Sequence, residues 1–247
     1  MLYSDYTSMA LLRIGIFGAQ GHLGHQLTER LADIKPSSVE VSGTTDKEHN
    51  SGLAAQADLL IITVRPKDVA PLLFEISASL QPTAQILSFA AGVTIQSIAS
   101  ATDRPVARGM VDPWWNFAGF VLGADFSKTN YEFLFEKLAK KIIPLQNESD
   151  IDEFTAYFVH AYIVLFLKAV GELPNAEKHL EYLAPHLHSS VAELKSFLPE
   201  GEPSELLRTL TTPGGVTEAV LNAIRGDAAI EPARAHAAGM RRIQELK

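Results

Sequence analysis

Leu11-Leu12-Arg13-Ile14-Gly15-Ile16-Phe17-Gly18-Ala19-Gln20-Gly21-His22-Leu23-Gly24 is the stretch on which the reading of this chain turns. A short run of branched and aromatic apolar residues ends in a glycine turn, and residues 23–32 then carry helical spacing, so the order is strand, turn, helix. Such a turn offers free backbone N–H groups and the positive end of a helix dipole to a pyrophosphate, and glycine lets the phosphate approach closely. The spacing Gly-x-x-Gly-x-x-Gly is one residue wider at its first gap than the commonest dinucleotide fingerprint. A glycine turn without a ligand is the plain alternative, and the strand-turn-helix order weighs against it. Gly18, Gln20, Gly21, His22 and Leu23 are the candidate contacts.

Outward from this turn, strands and helices alternate. Residues 39–41 begin a second strand, and residues 57–64 are nearly continuous apolar, as a parallel strand covered on both faces should be. Val69, Leu72, Leu73, Ile76 and Leu80 recur at helical spacing, and strands follow at residues 85–89 and 105–108, with residues 121–123 closing the sheet. An irregular aromatic segment around Trp114, Trp115 and Phe117 stands between the last two. This alternation predicts a parallel sheet with right-handed crossovers. After Pro144 the character changes, and residues 150–170, 174–197 (broken at Pro185), 202–210, 215–225 and 231–246 all read as helical. The fold class is therefore α/β, with a dinucleotide-binding Rossmann-type parallel-sheet domain over residues 1–147 and an all-α domain over residues 148–247.

Composition removes several functions. The 247 residues contain no cysteine, which excludes disulfides, thiolate metal sites and cysteine nucleophiles, and fits a reducing compartment. A net charge of −8, from 21 basic and 29 acidic residues, argues against nucleic acid as a partner. The longest apolar stretch, residues 156–170, is interrupted by His160 and Lys168 and falls short of the ~20 residues of a membrane span. Residues 1–12 show no basic region and no cleavage site, so no signal peptide is expected and the cytoplasm is the default location. His179, His186 and His188 lack a carboxylate on a shared helical face, and no metal is expected.

Further motifs fall where ligands bind in such folds. The end of the second strand reads Val41-Ser42-Gly43-Thr44-Thr45, without the acidic residue that NAD-preferring domains usually place there. Thr44 with its neighbours and Lys47 favours NADP (NADPH), with NAD possible because Asp46 lies close; the same residues also fit a polar loop. Val64 and Pro66 follow the third strand, and Ala90, Ala91 and Gly92 follow the fourth, where small side chains let a nicotinamide ring lie against backbone. Ordinary strand-to-helix loops explain both segments equally. In the helical half, Thr211-Thr212-Pro213-Gly214-Gly215-Val216-Thr217 ends one helix and opens another; its free N–H groups and hydroxyls make a carboxylate site or simply a capped turn. His160 reads as a core histidine, and Trp114 and Trp115 as packing.

Taken together, Arg13-Ile-Gly-Ile-Phe-Gly18, Val64-Arg-Pro-Lys-Asp-Val69, Ile86-Leu-Ser-Phe-Ala-Ala-Gly-Val-Thr94 and Thr211-Thr-Pro-Gly-Gly-Val-Thr217 resemble, in order and rough spacing, the motifs of the pyrroline-5-carboxylate reductase family. Arg108-Gly109-Met110 and the segment from Asp152 to Ala156 look like two further landmarks. The resemblance covers nearly the whole chain and implies NADPH- or NADH-dependent reduction of a cyclic imine, 1-pyrroline-5-carboxylate to proline. It implies a small imino-acid substrate and a homodimer through the carboxyl-terminal helices, with higher assembly an option. By the match, Thr212, Gly214, Gly215, Val216 and Thr217 hold the substrate, and Thr217 is the catalytic candidate, hydrogen-bonding near the imine nitrogen. Three departures stand out. Gln20 widens the first glycine gap, Met110-Val111-Asp112-Pro113 replaces the family's Met-Pro-Asn, and Tyr157-Phe158-Val159-His160-Ala161-Tyr162 replaces its Gly-Ser-Gly-Pro-Ala. The alternatives are a divergent paralogue reducing another imino acid and a non-catalytic NADP-binding dimer that senses redox state.

Overall fold

The computed structural model describes residues 11–246, so residues 1–10, on which the expected lack of a signal peptide mainly rests, lie outside the described residues. Seven strands, β1 (Leu12–Phe17), β2 (Val39–Thr44), β3 (Leu59–Ile62), β4 (Gln85–Ser88), β5 (Val106–Val111), β6 (Phe117–Leu122) and β7 (Lys141–Pro144), form one sheet in the order β2-β1-β3-β4-β5-β6-β7. Helices α1 (His22–Ile34), α2 (Lys47–Ala54), α3 (Pro66–Ile76) and α4 (Ile95–Thr102) connect the first five strands, and α5 (Glu132–Lys137) lies between β6 and β7. The order changes direction between β1 and β3, the kind of switch point at whose carboxyl edge such folds bind ligands.

The expected parallel sheet is observed, with one antiparallel pair. β1 pairs parallel with β2 and β3, and β3–β4, β4–β5 and β6–β7 are also parallel. Only residues 112–116 connect β5 to β6, whereas a parallel pair needs a crossover of about a dozen residues. β6 therefore runs against β5, with Asp112 N donating to Phe117 O at 3.1 Å and Gly123 N to Val106 O at 2.8 Å. The strand expected at residues 121–123 accordingly begins at Phe117, inside the aromatic segment read as irregular. Phe117 to Val121 are buried without alternation, which hides the period-2 signal of a strand.

By compactness the chain divides into Met1–Gly109 with Leu122–Leu138, and Met110–Val121 with Ala139–Lys247. In the first unit Phe17, Leu60, Ile62, Leu73, Ile76, Ile86 and Ile98 form one apolar core. The second contains α6 (Glu148–Ala169), α7 (Ala176–His186), α8 (Val191–Ser196), α9 (Pro203–Leu210), α10 (Val216–Gly226) and α11 (Pro232–Glu245). The boundary drawn after residue 147 falls between β7 and α6, where Asn147 caps the helix by accepting from Ser149 N and Asp150 N. Every residue of α6 from Phe154 to Leu167 is buried, as expected of a helix apolar all round; α7, α9, α10 and α11 pack against it. The break expected at Pro185 comes one residue later, with His188 in the left-handed region at φ 49°.

Candidate functional site

In the first unit the glycine turn is built by exclusion. Gly18 has φ 87°, open to glycine at little cost. A side chain at Gly24 would meet the Gly18 carbonyl oxygen first, then Thr63 Oγ1 at 2.7 Å and Ala19 Cα at 2.8 Å. The helix start can lie against the end of β1 only because that position has no Cβ. The Thr44 carbonyl fastens the turn, accepting from Gly18 N at 2.8 Å and Ala19 N at 3.1 Å. Thr63 Oγ1 donates to Phe17 O at 2.8 Å, joining β1 to the segment after β3.

Helix α1 has no side-chain cap at Gly21 and no acidic residue in its first turn. The N–H groups of His22, Leu23 and Gly24 have no carbonyl one turn earlier to bond, so the helix presents an unneutralised positive end. These features fit a dinucleotide pyrophosphate. Gly18, Gln20, Gly21, His22 and Leu23 lie together here, with Thr44 behind the turn and Val64 against it: a Cβ on Gly18 would touch Val64 Cγ1 at 3.0 Å. Pro66 is the first residue of α3, and Ala90, Ala91 and Gly92 (φ 74°) follow β4 on the same carboxyl edge. The Asp46 carboxylate, near the end of β2, accepts from Glu48 N at 3.0 Å and stands 3.1 Å from His49 Nδ1.

In the second unit the predicted carboxylate turn opens α10. Gly214 has φ 70°, Gly215 N bonds Thr212 O at 2.9 Å, and Gly215 is the N-cap without a side chain to offer. Thr212 is exposed, whereas Thr217 is 7% exposed and its hydroxyl makes no hydrogen bond among the described residues. Two neighbours escaped the sequence reading. Glu218 Oε2 accepts from Gly214 N at 2.8 Å, and Arg242 Nε donates to Gly214 O at 2.6 Å. A glutamate three residues into a helix was the signal for the first; nothing local marks Arg242, which comes from α11.

Two of the three departures from the resembled motifs lie in this unit. Asp112 is fully buried, and its carboxylate accepts from the N–H groups of Trp114 and Phe117 and from Tyr162 Oη at 2.7 Å. Burial pushes its pKa up against those bonds. Trp114 packs on Tyr162 at 4.5 Å, and Trp115 adopts φ 58°. The Tyr157 ring is stacked between His186 at 4.1 Å and His236 at 3.9 Å. His160 is fully buried, with Nε2 2.8 Å from His179 Nδ1, while His179 Nε2 is 3.2 Å from the Ile230 carbonyl. A carbonyl only accepts, so His179 carries its proton on Nε2 and accepts from His160 Nε2–H. The N–H of neutral His160 is thus spent inside the helical unit, and burial holds its pKa well below the usual value. Among the described residues no cluster of three metal-ligating side chains occurs, and no helix is long and apolar enough to cross a membrane.

The chain is 29% identical over 230 residues to pyrroline-5-carboxylate reductase 1 of Bacillus spizizenii, covering 85% of this chain and 75% of that one. With pyrroline-5-carboxylate reductase 1 of Bacillus subtilis it shares 30% identity over 200 residues, covering 73% and 66%. The pyrroline carboxylate reductase of Plasmodium falciparum, solved with NADP bound, superposes with a TM-score of 0.60 at 16% identity, covering 97% of this chain and 98% of that one, which shows a shared fold. No family model matches the chain.

Proposed function

Because this chain belongs to the pyrroline-5-carboxylate reductase family of oxidoreductases, we propose that it uses a reduced nicotinamide dinucleotide to convert a cyclic imine into a secondary amine, 1-pyrroline-5-carboxylate into proline being the first reaction to test. The observation that carries this reading is the pair of uncapped helix starts, at α1 and α10, each preceded by a glycine whose φ is positive. One fits a pyrophosphate and the other a carboxylate, by the same physics. The bound cofactor supplies hydride. Gly18, Gln20, Gly21, His22 and Leu23 hold its phosphates, and Thr44, Val64, Pro66 and Ala90 to Gly92 line the edge along which it extends.

NADPH is favoured over NADH because the Asp46 carboxylate is already engaged by Glu48 N and His49, which leaves hydroxyls and Lys47 at the end of β2. On the substrate side, Thr212, Gly214, Gly215 and Val216 bind the carboxylate, and Thr217 orients the imine nitrogen. The imine enters protonated. Hydride adds to the carbon, the C=N π pair becomes the nitrogen lone pair, and no proton has to move in that step. Orientation then carries the rate, without a dedicated acid. Tyr157 and His160 spend their rings within the helical unit, so their bulk does not favour the non-catalytic reading. Pairing of two copies through α6 to α11, in the cytoplasm, completes the proposal.

Purified protein mixed with 1-pyrroline-5-carboxylate and either NADPH or NADH should consume the reduced cofactor, read as loss of its near-ultraviolet absorbance and faster with NADPH. Absence of turnover with both cofactors, across 1-pyrroline-5-carboxylate and other cyclic imines, would overturn the reductase reading.

A further inference from the structure

The turn that opens α10 contains a carboxylate of its own. Glu218 is the third residue of the helix, and its Oε2 takes the Gly214 N–H at 2.8 Å. On the other side of the same residue, Arg242 Nε donates to the Gly214 carbonyl at 2.6 Å, while Arg242 Nη1 donates to Glu245 at 2.8 Å. Arg242 and Glu245 therefore balance each other, and Glu218 has no cationic partner among the described residues. Next to it Thr217, 7% exposed, leaves its hydroxyl without a hydrogen bond among those residues. The first three N–H groups of α10 are unpaired by the geometry of any helix start.

This arrangement discriminates between ligands by charge. The helix dipole and the open hydroxyl attract an anion, but Glu218 has taken one amide and placed a negative charge within a single helical turn of the rest. A second carboxylate at this turn meets a like charge, which disfavours its ionised, bound form. A protonated imine that carries no carboxylate meets no like charge here and loses only what a carboxylate would have gained from the dipole.

We propose that Glu218 is a specificity-determining residue of this site, shifting its preference from cyclic imines that carry a carboxylate toward cyclic imines that carry none. The proposal rests on the reductase reading given above and deepens it by naming the substrate class. Glu218→Gln is the informative variant because a glutamine oxygen can still accept from Gly214 N, so the turn keeps this hydrogen bond and loses only the charge.

The measurement is kcat/KM for 1-pyrroline-5-carboxylate and for 1-pyrroline, in the wild type and in Glu218→Gln, at saturating NADPH. The ratio of the first to the second should rise about tenfold in the variant, mainly through KM for the carboxylated imine. Glu218→Ala, which removes the charge and the bond to Gly214 N together, should move the ratio the same way. An unchanged ratio in both variants overturns the role of Glu218 and leaves the reductase reading intact. If the wild type reduces neither imine, that reading fails by itself, and calorimetric titration with L-proline then decides: tighter binding by Glu218→Gln supports the proposal, and equal or no binding rejects it.

Discussion

Asp112 shows what one residue can fix. A fully buried carboxylate is costly unless its oxygens are hydrogen-bonded, and this one gathers two backbone N–H groups and the Tyr162 hydroxyl, closing the turn that reverses the chain into β6. Tyr162 in turn accepts from Asn116 Nδ2 at 2.6 Å, so a single hydroxyl serves both ends of the turn. Tyr162→Phe should cost about 1–3 kcal/mol of stability, read as a lowered urea midpoint, because it strips a donor from a buried carboxylate; an unshifted midpoint would show that the turn holds without it. In the sequence Asp112 reads only as a replacement for a family residue. Its partner Tyr162 lies 50 residues away, and no local spacing joins them.

At the scale of elements, the junction of β1 with α1 depends on the third glycine of the motif, and this was legible from spacing. Gly24→Ala would drive a methyl group into the Gly18 carbonyl and toward Thr63 Oγ1, prising the helix start off the strand. It should weaken NADPH binding at least about tenfold and cost roughly 1–3 kcal/mol, measured by fluorescence titration and thermal melting. Gly52, inside α2, has nothing within 4 Å of a built Cβ, so Gly52→Ala is the control and should stabilise by about 0.5–1 kcal/mol. Equal effects at the two positions would refute the packing argument. The helical half was read closely for a related reason: each helix has enough apolar residues at period 3.6 to announce itself. Helix α2 has no such stripe: its only apolar residues, Leu53 and Ala54, stand together at its carboxyl end.

On the scale of the whole molecule, acidity is the condition to which this protein should be most sensitive. His236 is pushed down to about 4, by burial first and His186 second, and burial also lowers His160 and His179. These are bases with folded values below the ordinary 6.5, so the unfolded chain takes up their protons first. Their contribution is constant above pH 6.5 and lowers stability as pH drops from 6.5 toward 4, with a slope of roughly 1.4 kcal/mol per pH unit for each histidine involved. Melting temperatures recorded from pH 7.5 to 4.5 should fall, and His236→Phe, which keeps a ring against Tyr157 and removes a titrating group, should flatten the curve. A curve no flatter in the variant would exclude His236 as a source. By itself the sequence determined the strand-turn-helix start, the alternation of strands with helices, the run of helices alone that follows β7 and the glycine turns at both candidate sites, because each is written in residues close together along the chain. Only the tertiary structure decided the reversed β6, the His160–His179 bond, the stacking of Tyr157 between His186 and His236, and the meeting of Glu218 and Arg242 on Gly214. Those depend on groups tens of residues apart, which packing alone brings within hydrogen-bonding distance.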